Sequence, residues 1–432
     1  MQLTVRHFYQ FSGFHSLLIG LLPFFLPVIL WDNGASLAQI SAFIAITGIG
    51  FIGSLWVWDQ LRANNQWRWI ITLSFAAEIL LIAALAWNVN SRGETSIFLI
   101  GTALLNGVYN CFYWSTQRSM FNQITSHDNT GKTFGNFQIL VVILLKIGIL
   151  SGGYLLETSG TLPLIILSLA ISTIALWKLI KTGNPSTEKA EEPKLTSKQV
   201  KNFSDKKNSK AIFFLDGPFL FLESYFWVLS LYFLTQESFI TLGFVIVTLT
   251  LLLSGIFYFI KNAIDKMDQQ KIFFAAVLLY SASWLLRSQT SLQTTTEDNN
   301  LMLYTTILVI GFLTTFFRLV FNKRFFDTAR EDSAYQYLIY KSYYSQMGIV
   351  LFFGALATYL YISAPLSLEI SSATQAAPLL ATTYLWVCPI ALIYGIYCAK
   401  ARLPSRQLSK RETAQSKTAN TSNFRTIMVK KT

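Results

Sequence analysis

The sequence predicts an all-α, polytopic membrane protein of twelve transmembrane helices in two six-helix bundles. Three observations carry that expectation. The 432 residues are 53% hydrophobic and only 13% charged, where a soluble domain is about 25% charged. The apolar residues arrive in runs close to the roughly 20 needed to cross a hydrocarbon core. Two blocks of such runs flank one polar stretch from Lys181 to Lys210.

In order, the runs of the first block cover 12–31, 37–58, 68–88, 96–120, 134–157 and 161–180. Those of the second cover 211–234, 240–260, 271–288, 301–322, 337–362 and 378–399. Short polar turns such as Asp32-Asn33-Gly34 separate them. Barrel strands would be about 10 residues long and alternating, whereas a helix satisfies its own backbone in lipid. The first run follows Arg6 and His7 and contains Pro23 and Pro27. It is long for a signal-peptide core and eleven more follow, so it reads as a retained helix. The domain expectation is a bundle over 1–180, a charged linker over 181–210, a second bundle over 211–400 and a basic tail over 401–432.

Lysine and arginine placement sets orientation. One set of loops holds Arg62, Arg68, Lys132, the Lys-rich linker, Lys261, Lys266, Lys271, Lys323, Arg324 and Arg330, while the opposite set holds little beyond Arg92 and Arg287. Both termini and the linker are therefore expected in the cytoplasm, with a bacterial inner membrane as the default location. The net charge of +12 is accounted for by topology, without nucleic acid. The tail from Lys400 reads as a topology anchor near anionic lipid, and the Ser- and Lys-rich linker reads as disordered. Cys111, Cys388 and Cys398 sit in or at the end of runs, and the three histidines have no ligand spacing. No disulfide framework, metal or cofactor is expected.

Small residues recur at close-packing intervals: Ala45, Gly48 and Gly53; Gly148, Gly152 and Gly153; Ser345, Gly348 and Gly354. Such residues let helix backbones approach in lipid. The two blocks also share weak identities, Ser36 and Gly53 falling on Ser238 and Gly255, and Gly148 and Arg118 on Gly354 and Arg324. Internal repeats of this kind build many secondary transporters.

This six-plus-six layout with a long charged linker resembles the major facilitator superfamily, over roughly residues 1–400. The family's loop motif, Gly-x-x-x-Asp-(Arg/Lys)-x-Gly-x-(Arg/Lys)-(Arg/Lys), keeps Asp59 after the second run. It keeps Asp265, Lys266 and Lys271 after the eighth. The resemblance implies a cytoplasmic latch at these four residues. The antiporter motif Gly-Pro-x-x-Gly-Gly is matched only by Gly148, Gly152 and Gly153, with Ile149 in place of proline. The mid-membrane arginine of proton-coupled drug antiporters is missing from the fourth run, so drug efflux is not implied.

Ionisable groups inside a bilayer cost at least ~2.5 kcal/mol each on insertion scales and mark function by default. Glu78, Lys146, Asp216, Glu223 and Arg318 fall within runs. Asp216 and Glu223 are seven apart, on one helical face. Lys146 and Glu223 lie at similar depth and are expected to pair across the halves. In the fourth run Asn106, Asn110, Tyr113 and Gln117 form one stripe, and the tenth repeats the spacing with Gly311, Thr315, Arg318 and Asn322. The resemblance puts the first, fourth, seventh and tenth helices around a central cavity, and so both stripes on a substrate path.

No phosphate-binding Gly-x-x-x-x-Gly-Lys-(Ser/Thr) run occurs, which argues against ATP-driven pumping. The expectation is a monomeric secondary active transporter, not an enzyme, moving a small molecule by alternating access. Protons acting through Glu223 are the expected coupling ion. Lys146 and Arg318 would favour a substrate with anionic groups. The alternative is a membrane scaffold or regulator that keeps the fold.

Overall fold

The computed structural model describes residues 3–90, 96–124, 130–181, 193–205, 207–266, 268–293, 300–329, 333–363 and 373–397. The described residues form helices and short connections, with no strand. The basic tail and residues 182–192 of the linker lie outside them.

The first block contains α1 (Leu3–Leu21) continued through a 3₁₀ turn at Pro23–Phe25 into α2 (Leu26–Asp32). It goes on with α3 (Leu37–Ala63), α4 (Trp67–Asn90), α5 (Ser96–Ile124), α6 (Thr130–Ser159) and α7 (Thr161–Lys181). A short α8 (Ser197–Lys201) lies in the linker. The second block contains α9 (Ser209–Phe221) continued through a π-helical turn at Leu222–Phe226 into α10 (Trp227–Leu234). It is completed by α11 (Phe239–Lys266), α12 (Gln269–Ser291), α13 (Asn300–Ala329), α14 (Ala334–Ser363) and α15 (Ala373–Ala391).

Among the described residues eleven helical stretches are long and apolar enough to cross a membrane. The 29-residue α5, which carries the polar stripe in mid-helix, is not one of the eleven. The chain is a multi-pass integral membrane protein. Its large exposed apolar side chains, among them Ile143, Ile147, Phe244 and Leu251, are what lipid-facing helix surfaces require.

Helix ends are set by local chemistry. Ser36 and Gln39 form a reciprocal capping box at the start of α3. Gly34 takes φ +86° in the turn before it, a conformation glycine reaches without strain. Asp268 accepts from the Gln270 and Lys271 amides at the start of α12 (2.8 and 3.1 Å), and these amides hold its carboxyl below the usual range.

Within each block the same two helices cross at paired glycines. A Cβ on Gly20 of α1 would run into the Leu145 carbonyl oxygen, and one on Gly148 of α6 into that of Leu17. A Cβ on Gly217 of α9 would strike the Ser345 carbonyl, and one on Gly348 of α14 that of Phe214. The equivalent of Gly148 is therefore Gly348, not the Gly354 expected from sequence alignment. Gly53, Gly255 and Gly354 face open space, so of the glycines in the weak identities only Gly148 lies at a crossing. Between the blocks, α3 packs on α14 and α6 on α11.

The linker differs from the expected disorder where it is described. Thr196 and Gln199 cap α8 reciprocally, Leu195 is buried, and Phe203 stacks on Tyr340 with centroids 4.2 Å apart. The Tyr344 hydroxyl donates to the Val200 carbonyl (2.7 Å). A few apolar side chains spaced between lysines suffice to dock this stretch, which a composition average hides.

Candidate functional site

The main polar cluster forms where α9, α12, α13, α14 and the C-terminal 3₁₀ turn meet. Its origin is local. Pro218 in α9 has no N–H for the Phe214 carbonyl, and Gly348 lies against that same carbonyl. The close α9–α14 crossing brings Lys341 Nζ within 3.1 Å of Asp216 Oδ2. One turn on, the helix loosens into the π turn at Leu222–Phe226, closed by the Trp227 N–H donating to the Leu222 carbonyl. Single π turns of this kind concentrate at functional sites, and this one carries Glu223.

Arg318 of α13 joins the two carboxylates. Its Nη1 stands 2.5 Å from Asp216 Oδ1. Its Nε and Nη2 donate to Glu223 Oε2 and Oε1 at 3.1 and 3.0 Å. A guanidinium engaging a carboxylate through two parallel bonds is the strong, planar form of this contact. The Tyr280 hydroxyl donates to Glu223 Oε1, and that of Tyr394 donates to Asp216 Oδ1 at 3.0 Å. Asp216 is fully buried. Two carboxylates thus face two cations, Arg318 and Lys341, and the cluster is charge-balanced.

The sequence-predicted residues distribute as follows. Asp216, Glu223 and Arg318 come together. Thr315, one turn from Arg318, is exposed. On α5, Asn106 donates to Thr47 Oγ1 and to the Tyr225 hydroxyl of the π turn, both at 3.2 Å. That contact links the fourth-helix stripe to the helix bearing Glu223. Asn110 bonds back to Asn106 (2.9 Å), and Gln117 donates to the Tyr113 hydroxyl (2.7 Å). The Tyr113 ring turns instead toward Phe11 and His15 of α1. Lys146 does not pair with Glu223, which Arg318 and Tyr280 already occupy. Among the described residues no carboxylate lies within ion-pair distance of Lys146. Arg318 is likewise no free cation for an anionic substrate, because two carboxylates engage it.

Of the four latch residues, Asp59 is buried and accepts from Arg62 Nε and Nη2 (3.1 and 2.9 Å). It also accepts from the Leu195 amide (3.2 Å) and from the Tyr335 hydroxyl of α14. The Arg62 guanidinium lies over the Tyr335 ring, 3.9 Å from its centroid. Lys271 is exposed. The side chains of Asp265 and Lys266 lie outside the described residues.

Three features escaped the sequence reading. Arg287, counted there as a loop charge, is buried in α12, bonded to Ser283 and Thr314 (2.9 and 2.6 Å) and stacked on Trp284. Glu157 at the end of α6 accepts from the Phe239 and Ile240 amides (2.7 and 3.2 Å), capping α11 from the other block. His15 stands 3.5 Å from Glu78, buried between α1 and α4. For His15 the available signal was an imidazole in mid-run; for Glu157, a carboxylate one turn before a loop.

No family model matches the chain, and no curated protein resembles it in sequence. Solved structures do. The nucleoside transporter NupG aligns with 93% of this chain and 100% of its own, at TM-score 0.65 and 13% identity. The POT family transporter PepTSo aligns over 90% and 97%, at TM-score 0.62 and 12% identity. The chain has the fold of the major facilitator superfamily, and both neighbours are transporters rather than enzymes.

Proposed function

We propose that this protein is a secondary active transporter that carries a small polar molecule by alternating access between two six-helix bundles, 1–180 and 211–400. Both termini lie in the cytoplasm, and the coupling ion is the proton. The observation that carries this reading is the Asp216–Arg318–Glu223 cluster on the π turn of the seventh span. Buried charges in a bilayer are costly and mark substrate or ion paths. An Arg318 that holds two carboxylates on one helix has two alternative partners to exchange during a cycle.

The fourth-helix residues Asn106, Asn110, Tyr113 and Gln117, together with Lys146 and Thr315, are proposed to line the substrate path. The Asn106–Tyr225 contact supports this by joining that stripe to the π turn. Asp59, with Tyr335 and Arg62, is proposed as the cytoplasmic latch, together with Asp265, Lys266 and Lys271 of the second half. The transporter neighbours favour transport over a scaffold role. Their substrates, nucleosides in one case, make nucleosides and short peptides reasonable first probes.

The test is uptake into vesicles reconstituted with the purified chain, across a panel of nucleosides, dipeptides, sugars and organic acids, with and without an imposed proton gradient. Saturable uptake of one class, lost in Glu223→Gln and Arg318→Lys, is the expected result. Uptake that survives both substitutions would remove the cluster from the mechanism.

A further inference from the structure

Both blocks hold acidic side chains among their helices, but the charge balance differs. In the second block Glu223 meets Arg318, and Asp216 meets Arg318 and Lys341. In the first block Glu78 of α4 is 1% exposed, and among the described residues the basic group within reach is His15 of α1, itself fully buried.

The surroundings of the pair can be followed element by element. From α1, His15 Nδ1 stands 3.5 Å from Glu78 Oε2. From α4, Ser74 Oγ lies 3.1 Å from His15 Nε2, and the Phe75 ring stacks on the imidazole at 4.2 Å. From α5 the titratable groups are Tyr109 and Tyr113, whose rings lie 5.9 and 4.7 Å from that of His15. From α7, Ser172 donates to Glu78 Oε2 (3.4 Å). The lysine of α7 that touches α1, Lys178, lies over the Phe14 ring instead. His15 Nδ1, Glu78 Oε1 and the Tyr109 hydroxyl are buried without a well-formed hydrogen bond.

An ionised Glu78 here would bury a charge against a contact too long and poorly aligned for a strong charge-assisted bond. Its Oε1 would face the Tyr109 hydroxyl without a well-formed hydrogen bond, and buried charges without good partners are avoided. We infer that His15 and Glu78 form a proton-binding site in the first block: one exchangeable proton resides on Glu78, with His15 neutral and positioned to accept it. On transfer the Glu78 O–H bond breaks and an Nδ1–H bond forms on His15. The resulting imidazolium donates to Ser74 Oγ through Nε2 and faces the Glu78 carboxylate through Nδ1. The ligand is the proton itself. The inference deepens the coupling proposed above, and depends on the transporter reading only for the use made of the proton.

The test needs no transport. Infrared spectra of the full chain in lipid vesicles are recorded as pH is stepped from acidic to alkaline. The wild type should give a buried carboxylic-acid C=O band that converts to carboxylate bands. Glu78→Gln should remove that band entirely, and Glu223→Gln should leave it. Because Glu78→Gln is one variant that has to fold, histidine-selective ¹⁵N NMR of the wild type gives an independent reading. With only three histidines in the chain, the His15 signal is assigned by its loss in His15→Asn. It should report a neutral ring at pH values where exposed histidines are charged. A C=O band that persists in Glu78→Gln, or an imidazolium signal from His15 at neutral pH, would overturn the inference. Failure of the chain to transport any solute would count against the transporter reading and leave the His15–Glu78 site standing, so the two proposals fail separately.

Discussion

Arg318 decides more at the residue scale than any other side chain. It is the shared partner of two carboxylates, Asp216 buried and Glu223 partly buried, so removing it strands both. A broken buried ion pair costs about 3–5 kcal/mol because a charge is left uncompensated. Arg318→Ala should therefore lower the thermal unfolding temperature of the detergent-solubilised protein clearly. The triple change Asp216→Asn, Glu223→Gln, Arg318→Met, which removes the charges together, should recover much of that loss. Equal loss in the single and triple variants would contradict the ion-pair account. Asp216, Glu223 and Arg318 were singled out in the sequence, because ionisable groups are rare in apolar runs and must be accounted for; Lys341, within the eleventh run, was passed over. Their pairing was not. Lys146 and Glu223 share a depth, but partner choice depends on how each helix is rotated, and Pro218 and the π turn set that rotation for Glu223. His15 and Arg287 were missed for local reasons. His15 is one polar residue in an apolar stretch with its acidic neighbour on a different helix, and Arg287 stands at the polar end of its run, before Ser288, Gln289, Thr290 and Ser291, where it reads as a loop charge.

Close glycine crossings organise the elements. At Gly20 with Gly148, and at Gly217 with Gly348, one helix's backbone lies against the other's, leaving no space for a side chain. Gly348→Ala should destabilise the protein measurably in a detergent melting assay and disturb the Lys341–Asp216 contact below it. Gly354→Ala, at a position with open space, should be neutral or stabilising, since alanine is favoured over glycine in a helix by about 0.8–1 kcal/mol. If the two substitutions behaved alike, the crossing would not be where α9 and α14 are held. The sequence made small residues conspicuous without ranking them, because composition gives a spacing and not a facing helix. The same limit applies to the linker. Its lysine-rich average concealed Leu195 and Phe203, the two side chains that dock it.

The whole molecule is fastened at both ends between its blocks. At the linker end Asp59 and Arg62 of α3 hold Tyr335 of α14. At the opposite end Glu157 of α6 caps α11, and Trp31 packs on Phe233, with centroids 5.0 Å apart. The alternating access proposed above requires these fastenings to open in turn. Tyr335→Phe and Asp59→Asn should favour states open at the linker end. Glu157→Gln should favour states open at the other. Spin-label distances between α3 and α14 at one end, and between α6 and α11 at the other, should shift in opposite senses in these variants. That the chain is a multi-pass membrane protein of apolar helices was readable from hydropathy alone, since a bilayer imposes helix length directly. The fastenings were less so: Asp59 stood out by its resemblance to a loop motif, whereas Tyr335 and Glu157 belong to no motif. The most direct measurement is solute uptake into vesicles holding the purified chain under an imposed proton gradient. The account predicts saturable uptake of a small polar solute that rises with the gradient and is abolished by Arg318→Lys. Uptake indifferent to that substitution, or none from correctly folded protein across the nucleoside, peptide, sugar and organic-acid panel, would contradict it.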